Sequence, residues 1–105
     1  MALFNPGVYA GYAQLHAAAI ADDGALPARI KELIALAIAV TRECDGCVTA
    51  HARSAVRRGV TAEEVAEAMG VAIAMNGGPG TVWAPRAYAA FEEFAGPGGV
   101  SPRGS

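Results

Sequence analysis

A chain of 105 residues with 53% hydrophobic and only 17% charged side chains is one domain, and its apolar content exceeds what a small monomer hides comfortably. A net charge of −2, with no basic tail and no run of like charge, argues against nucleic acid and anionic membrane as partners, and no apolar run reaches the ~18 residues of a membrane span. The N-terminus lacks the basic and apolar regions of a signal peptide, so the cytoplasm is the expected compartment.

No segment alternates with a period of two, so the expectation is all-α: a compact single-domain bundle of about five to six helices that oligomerises through its helices. The first helix opens with Asn5 as N-cap and Pro6 at its first position and runs to about Asp22, weakened by Gly7 and Gly11. Asp23-Gly24 makes a turn. The second runs from Pro27 to about Arg42. Ile30, Leu33, Ile34, Leu36, Ile38 and Val40 wrap most of its circumference, the mark of a buried central helix. The third starts near Asp45 and stops at Gly59, with Arg53, Arg57 and Arg58 late, where positive charge suits the helix dipole. Thr61 and Glu64 form a capping box that starts the fourth, which ends at Asn76-Gly-Gly-Pro79. The fifth runs from about Thr81 to Phe94, with Pro85 in its first turn. Residues 1–95 make the domain, and residues 96–105, rich in Gly, Pro and Ser, read as a flexible tail.

The only two cysteines are Cys44 and Cys47, a C-x-x-C pair with His51 four residues after the second. On a helix these three residues share one face. A thiol pair able to close into a small disulfide ring, with an imidazole beside one sulfur, is the equipment of dithiol redox chemistry. In the cytoplasm such a pair is more often catalytic, redox-sensing or metal-binding than a structural staple. Twelve residues before Cys44 lies Glu32, an acid in an apolar helix. A free thiol, with a pKa of ~8.5, is mostly unreactive at neutral pH. His51 can take the Cys47 proton, and Glu32 can orient or stabilise the imidazolium. Cys44 competes as nucleophile because it sits where the helix dipole begins, a term of roughly 0.3–1 kcal/mol. A close charge partner shifts a pKa by about 1–3 units at ~1.36 kcal/mol each, so the balance favours Cys47 if the imidazole reaches it.

From about Arg29 to Phe94 the chain resembles the alkylhydroperoxidase D-like family, part of the wider carboxymuconolactone decarboxylase group. The resemblance is carried by Lys31-Glu-Leu-Ile-Ala-Leu-Ala37, by Cys44-Asp-Gly-Cys47 with His51, by Gly59-Val-Thr-Ala-Glu-Glu-Val65, and by Asn76-Gly-Gly-Pro79 before an aromatic-rich helix. It implies an all-helical domain assembled into homotrimers or homohexamers and a thiol-based peroxidase or disulfide reductase. In that family the glutamate matching Glu32 is a distant base, the histidine matching His51 relays the proton, the cysteine matching Cys47 attacks, and the one matching Cys44 resolves the product to a disulfide. The substrate would be a hydroperoxide or a disulfide, and an external dithiol or protein reductant would reopen the pair. Some members carry a further histidine just before the second cysteine, where this chain has Gly46. Others contain two copies of the unit, where this chain has one. The decarboxylase branch lacks the C-x-x-C.

Other readings of the same residues are a carboxymuconolactone decarboxylase-like enzyme and a non-enzymatic redox-responsive or metal-binding module. Structural zinc takes four ligands. Cys44, Cys47 and His51 supply three, His16 stands isolated in the first helix, and Glu43 and Asp45 are poorly spaced, so neither metal nor cofactor is expected. Glu32 alone would also suit a surface acid paired with Lys31 or Arg29. His16 reads as a surface or interface residue. The arginines of the third helix read as a solvated face or inter-subunit salt bridges. Trp83, Tyr88 and Phe91 read as core or interface aromatics, and Met69 and Met75 as packing residues.

Overall fold

The computed structural model describes residues 4–99. They form five α-helices and no strand: α1 Pro6–Ile20, α2 Ala28–Arg42, α3 Asp45–Arg57, α4 Ala62–Asn76 and α5 Gly78–Gly99. Helices α2 to α5 pack on one another around a single core, while α1 touches mainly α2. Phe91 and Leu36 are the largest apolar side chains fully buried there; most of the rest of the core is Ala and Val, including Ala52, Ala55, Ala84 and Ala87. Small residues let the helix axes approach closely, so the core is dense although its side chains are short. Gly80 marks the tightest approach: a Cβ there would lie 2.9 Å from the Ile73 Cα, so α5 could not sit on α4 with a larger residue.

The helix boundaries follow local chemistry. At the end of α2, Glu43 takes the left-handed conformation (φ 53°, ψ 48°) and the amides of Glu43 and Cys44 return to the Val40 and Ala39 carbonyls, each at 3.1 Å. This cap uses a non-glycine residue, a strained choice that costs of order 1–3 kcal/mol. It leaves a two-residue link, Glu43 and Cys44, between α2 and α3. Gly59 (φ 81°) ends α3, with the Val60 amide bonded to the Ala55 carbonyl at 3.0 Å. The Thr61–Glu64 capping box is formed: the Glu64 amide donates to Thr61 Oγ1 at 3.1 Å and the Thr61 amide to Glu64 Oε1 at 2.9 Å.

Three expectations are corrected. First, α1 ends at Ile20 and not at Asp22, because the Asp22 carboxylate turns to accept the Ala28 amide at 2.6 Å, serving the start of α2 where Pro27 offers no side-chain cap. Second, α5 opens at Gly78 and not near Thr81, because the Gly77 carbonyl accepts from the Gly80 and Thr81 amides. Pro85 therefore lies inside the helix and not in its first turn, on an exposed side where water can serve the Thr81 carbonyl. Gly96 (φ 69°) breaks this helix at the start of the segment read as a flexible tail; residues 97–99 have helical backbone, and 100–105 lie outside the described residues. Third, α2 is not buried all round. Ile34 and Ile38 are exposed, as are Val71, Met75 and Val82 on α4 and α5, and α1 has no buried residue. Met75, expected to pack, is 79% exposed. Helical periodicity shows which faces are apolar, and several of these are faces that one copy of the chain does not cover.

Glu64 also ties α4 to α2 by accepting from the Arg29 guanidinium. Arg29, followed by the Thr61 amide, holds the Glu64 carboxyl below its ordinary range. A depressed folded-state pKa contributes stability that is fully present above the unfolded value of about 4.3 and is lost as pH falls through the folded one. Denaturation of the wild type and of Glu64→Gln should therefore differ most near neutral pH and converge in acid. A gap that widens on acidification would contradict the assignment.

Candidate active site

The short link after α2 makes Cys44 the N-cap of α3, its Sγ accepting from the Cys47 amide at 3.2 Å. Cys47 sits in the first turn with its Cα 5.2 Å from that of Cys44, and the two are joined as a disulfide. Cys47 is exposed and Cys44 half-buried. One turn later, His51 leans back from α3 toward α2. Its Nδ1 meets Glu32 Oε1 at 2.8 Å. Glu32 lies on the same inward face of α2 as Ala28, Leu36 and Ala39 and, at 1% exposure, is the one buried charged residue among the described residues. It is not paired with Lys31 or Arg29: Lys31 donates to the Ala21 carbonyl, and Arg29 serves Glu64.

A buried carboxylate needs a hydrogen-bonded partner, and His51 is the one present. When that carboxylate is ionised it only accepts, so the hydrogen of this bond then sits on Nδ1 and Nε2 is the ring nitrogen that the bond leaves open. Among the described residues no hydrogen bond joins the imidazole to a sulfur in this oxidised state.

No local pattern brings His16 here, yet its ring from α1 stacks on that of His51, centroids 5.2 Å apart and planes at 28°. It is half-buried, neither isolated nor a plain surface residue. The Tyr12 ring, one turn earlier, lies 6.0 Å from that of His16, tilted by 43°. The signal available in the sequence was the i, i+4 spacing of Tyr12 and His16 on one face; nothing local shows that this face meets α3. Two clefts meet at the disulfide. One, of about 530 Å³, lies between α1 and the start of α3, with Tyr12, Cys44 and Gly46 in its lining. The other, of about 250 Å³, lies between α1 and α2 and is walled by Ile20, Ala35 and Ile38, with Arg42 as its one charged side chain. His16, Cys47 and His51 border both, whereas Cys44 borders only the first. Elsewhere, Arg53 lies over the Phe94 ring at 5.3 Å and Arg86 over Trp83 at 4.5 Å, so Arg53 is engaged within the chain and is not simply solvated.

An all-helical domain with a C-x-x-C pair at a helix start, beside a buried Glu–His couple, defines a narrow class. The sequence profile of the carboxymuconolactone decarboxylase family matches residues 6–93, and the chain belongs to that family. Over 74 residues it is 47% identical to an uncharacterized protein of Cupriavidus necator, a match covering 70% of this chain and 66% of that one. It is 40% identical, again over 74 residues, to uncharacterized protein 4 in the cox locus of Paracoccus denitrificans, covering 70% and 67%. The matched stretch is thus about two thirds of the length of these relatives. Among solved structures it is similar to a carboxymuconolactone decarboxylase family protein from Legionella pneumophila, crystallised in its apo form, with a TM-score of 0.83, 42% identity, and coverage of 89% and 82%.

Proposed function

We propose that this chain is a thiol-dependent peroxidase and dithiol–disulfide oxidoreductase that uses Cys47 as nucleophile, Cys44 as resolving thiol, His51 as proton carrier and Glu32 as its anchor. The observation that carries this reading is the Glu32–His51 bond placed beside a cysteine pair that opens onto two clefts. In the reduced state His51 Nε2 takes the Cys47 proton. The thiolate attacks the outer oxygen of a hydroperoxide, the O–O bond breaks, and the departing alkoxide collects the proton as an alcohol. Cys47 is left as a sulfenic acid. Cys44 then attacks that sulfur, water leaves, and the disulfide seen here forms. An external dithiol, itself oxidised to a disulfide, returns both thiols. With a disulfide substrate the same residues act without the sulfenic step.

The apolar faces of α1, α2 and α4 support a homotrimer or homohexamer, in which a neighbouring copy would cover Ile34, Ile38, Val71 and Met75. No helix among the described residues is long and apolar enough to cross a membrane.

The test is thiol reactivity. Reduced protein given one equivalent of an organic hydroperoxide should lose both free thiols, with an intact-mass drop of two hydrogens, and one thiol should alkylate fast well below pH ~8.5, the range of an ordinary cysteine. Two slow thiols that survive the peroxide would sink this reading. Lactone turnover indifferent to alkylation would then point to decarboxylation.

A further inference from the structure

Nothing in the thiol chemistry above uses His16, although its ring lies against His51 and borders both clefts. The bond to Glu32 holds the Nδ1 edge of the His51 ring, which leaves a hinge about the line from Cβ to Nδ1, reached by small concerted changes of the two side-chain torsions. A ring that swings about Nδ1 carries Nε2 through an arc, and proton transfer to or from a thiol needs that nitrogen at one place. A second contact, on the ring face, has to set the plane. α2 contributes Glu32 at the ring edge and the small side chains Ala35 and Ala39 in the smaller cleft; α3 contributes Cys47 a turn away; among the described residues only α1 stacks a flat group on the ring. The Tyr12 ring in turn lies 6.0 Å from that of His16.

We propose that His16 is a positioning residue: its ring holds the plane of His51, so that α1 fixes the orientation of the proton carrier. It acts through His51 and not on the substrate. This deepens the proposed function, and its kinetic arm rests on that reading. The remaining groups around the pair are Glu32, the Cys44–Cys47 disulfide, the Tyr12 phenol and, across the second cleft, Arg42. None of them lies over the ring as His16 does.

The test compares His16→Phe, which keeps a flat ring and removes both nitrogens, with His16→Ala, which removes the ring. Because His16 is only half-buried and α1 has no fully buried residue, both variants should keep close to the wild-type melting curve. In the oxidised protein, long-range proton–nitrogen NMR of His51 should show one ordered ring protonated at Nδ1 in the wild type and in His16→Phe. His16→Ala should show averaged or broadened ring signals. In the reduced protein, His16→Ala should slow Cys47 alkylation and lower kcat for peroxide by about ten- to a hundredfold, the scale on which misplaced groups lose rate, with KM little changed, and His16→Phe should recover most of the loss. His51 signals unchanged in His16→Ala overturn the proposal, whatever the thiols do. So does His16→Phe behaving like His16→Ala. A wild type with no fast thiol refutes the proposed function, while the NMR comparison still decides this one.

Discussion

Cys47→Ser is expected to lower peroxide and disulfide turnover by about three orders of magnitude or more, because a serine hydroxyl in the same place does not become the anionic nucleophile that a thiol becomes. Cys44→Ser should behave differently. It keeps the attacking sulfur and removes the group that resolves the sulfenic acid, so it should consume one equivalent of hydroperoxide and stop. The trapped sulfenic acid would be visible as an adduct with a carbon-acid reagent. The structure makes the asymmetry a real question. Cys44 has the helix start, its sulfur 3.2 Å from the Cys47 amide, whereas Cys47 shares both clefts with His51 and is the more exposed. Single-turnover peroxide consumption by the two variants, followed by intact mass, separates the cases. If Cys47→Ser reacts once with peroxide and Cys44→Ser does not, the roles are exchanged and the helix dipole outweighs the imidazole.

Phe91→Ala should remove about 3–5 kcal/mol of stability, a large part of the ~5–15 kcal/mol that holds a domain. Phe91 is 1% exposed and sits on α5, the helix that packs against α3 and α4. Its neighbours in the core are mainly alanine and valine, which are too short to fall into the space it would leave. The control lies one turn along: Phe94, 37% exposed, holds only the edge of the bundle and Arg53, so Phe94→Ala should cost on the order of 1 kcal/mol. Urea denaturation of the two variants reads the difference. Similar midpoints would mean that α5 does not carry the core as described.

What the sequence made legible was whatever a few adjacent residues decide among themselves. Pro6, the Thr61–Glu64 box and Gly59 act within one turn, and the helix ends they specify are where they were expected. The face shared by Cys44, Cys47 and His51 is likewise fixed by one helix. Glu32 belongs to another helix, and its bond to His51 depends on how α2 and α3 dock; the chemistry of a base that needs an orienting acid suggested that pairing and resemblance to a family favoured it, since spacing could not. His16 had neither help. It is 35 residues from His51 in sequence and reaches it only because α1 folds back over α2, a contact between faces that carry no local marker. Reading α2 as wholly buried failed for a related reason: an apolar side chain shows that something must cover it, and not that the same copy of the chain does.

The sulfur of Cys44 serves two structures at once. It is half of the disulfide, and it is also the acceptor that caps the start of α3, the group to which the Cys47 amide donates. Any change of charge or substitution on that sulfur is therefore felt by an amide in the first turn of the helix that carries His51. The oxidation state of this protein is in effect a variable helix cap, linked through three turns of one rod to the residues that pack beneath it.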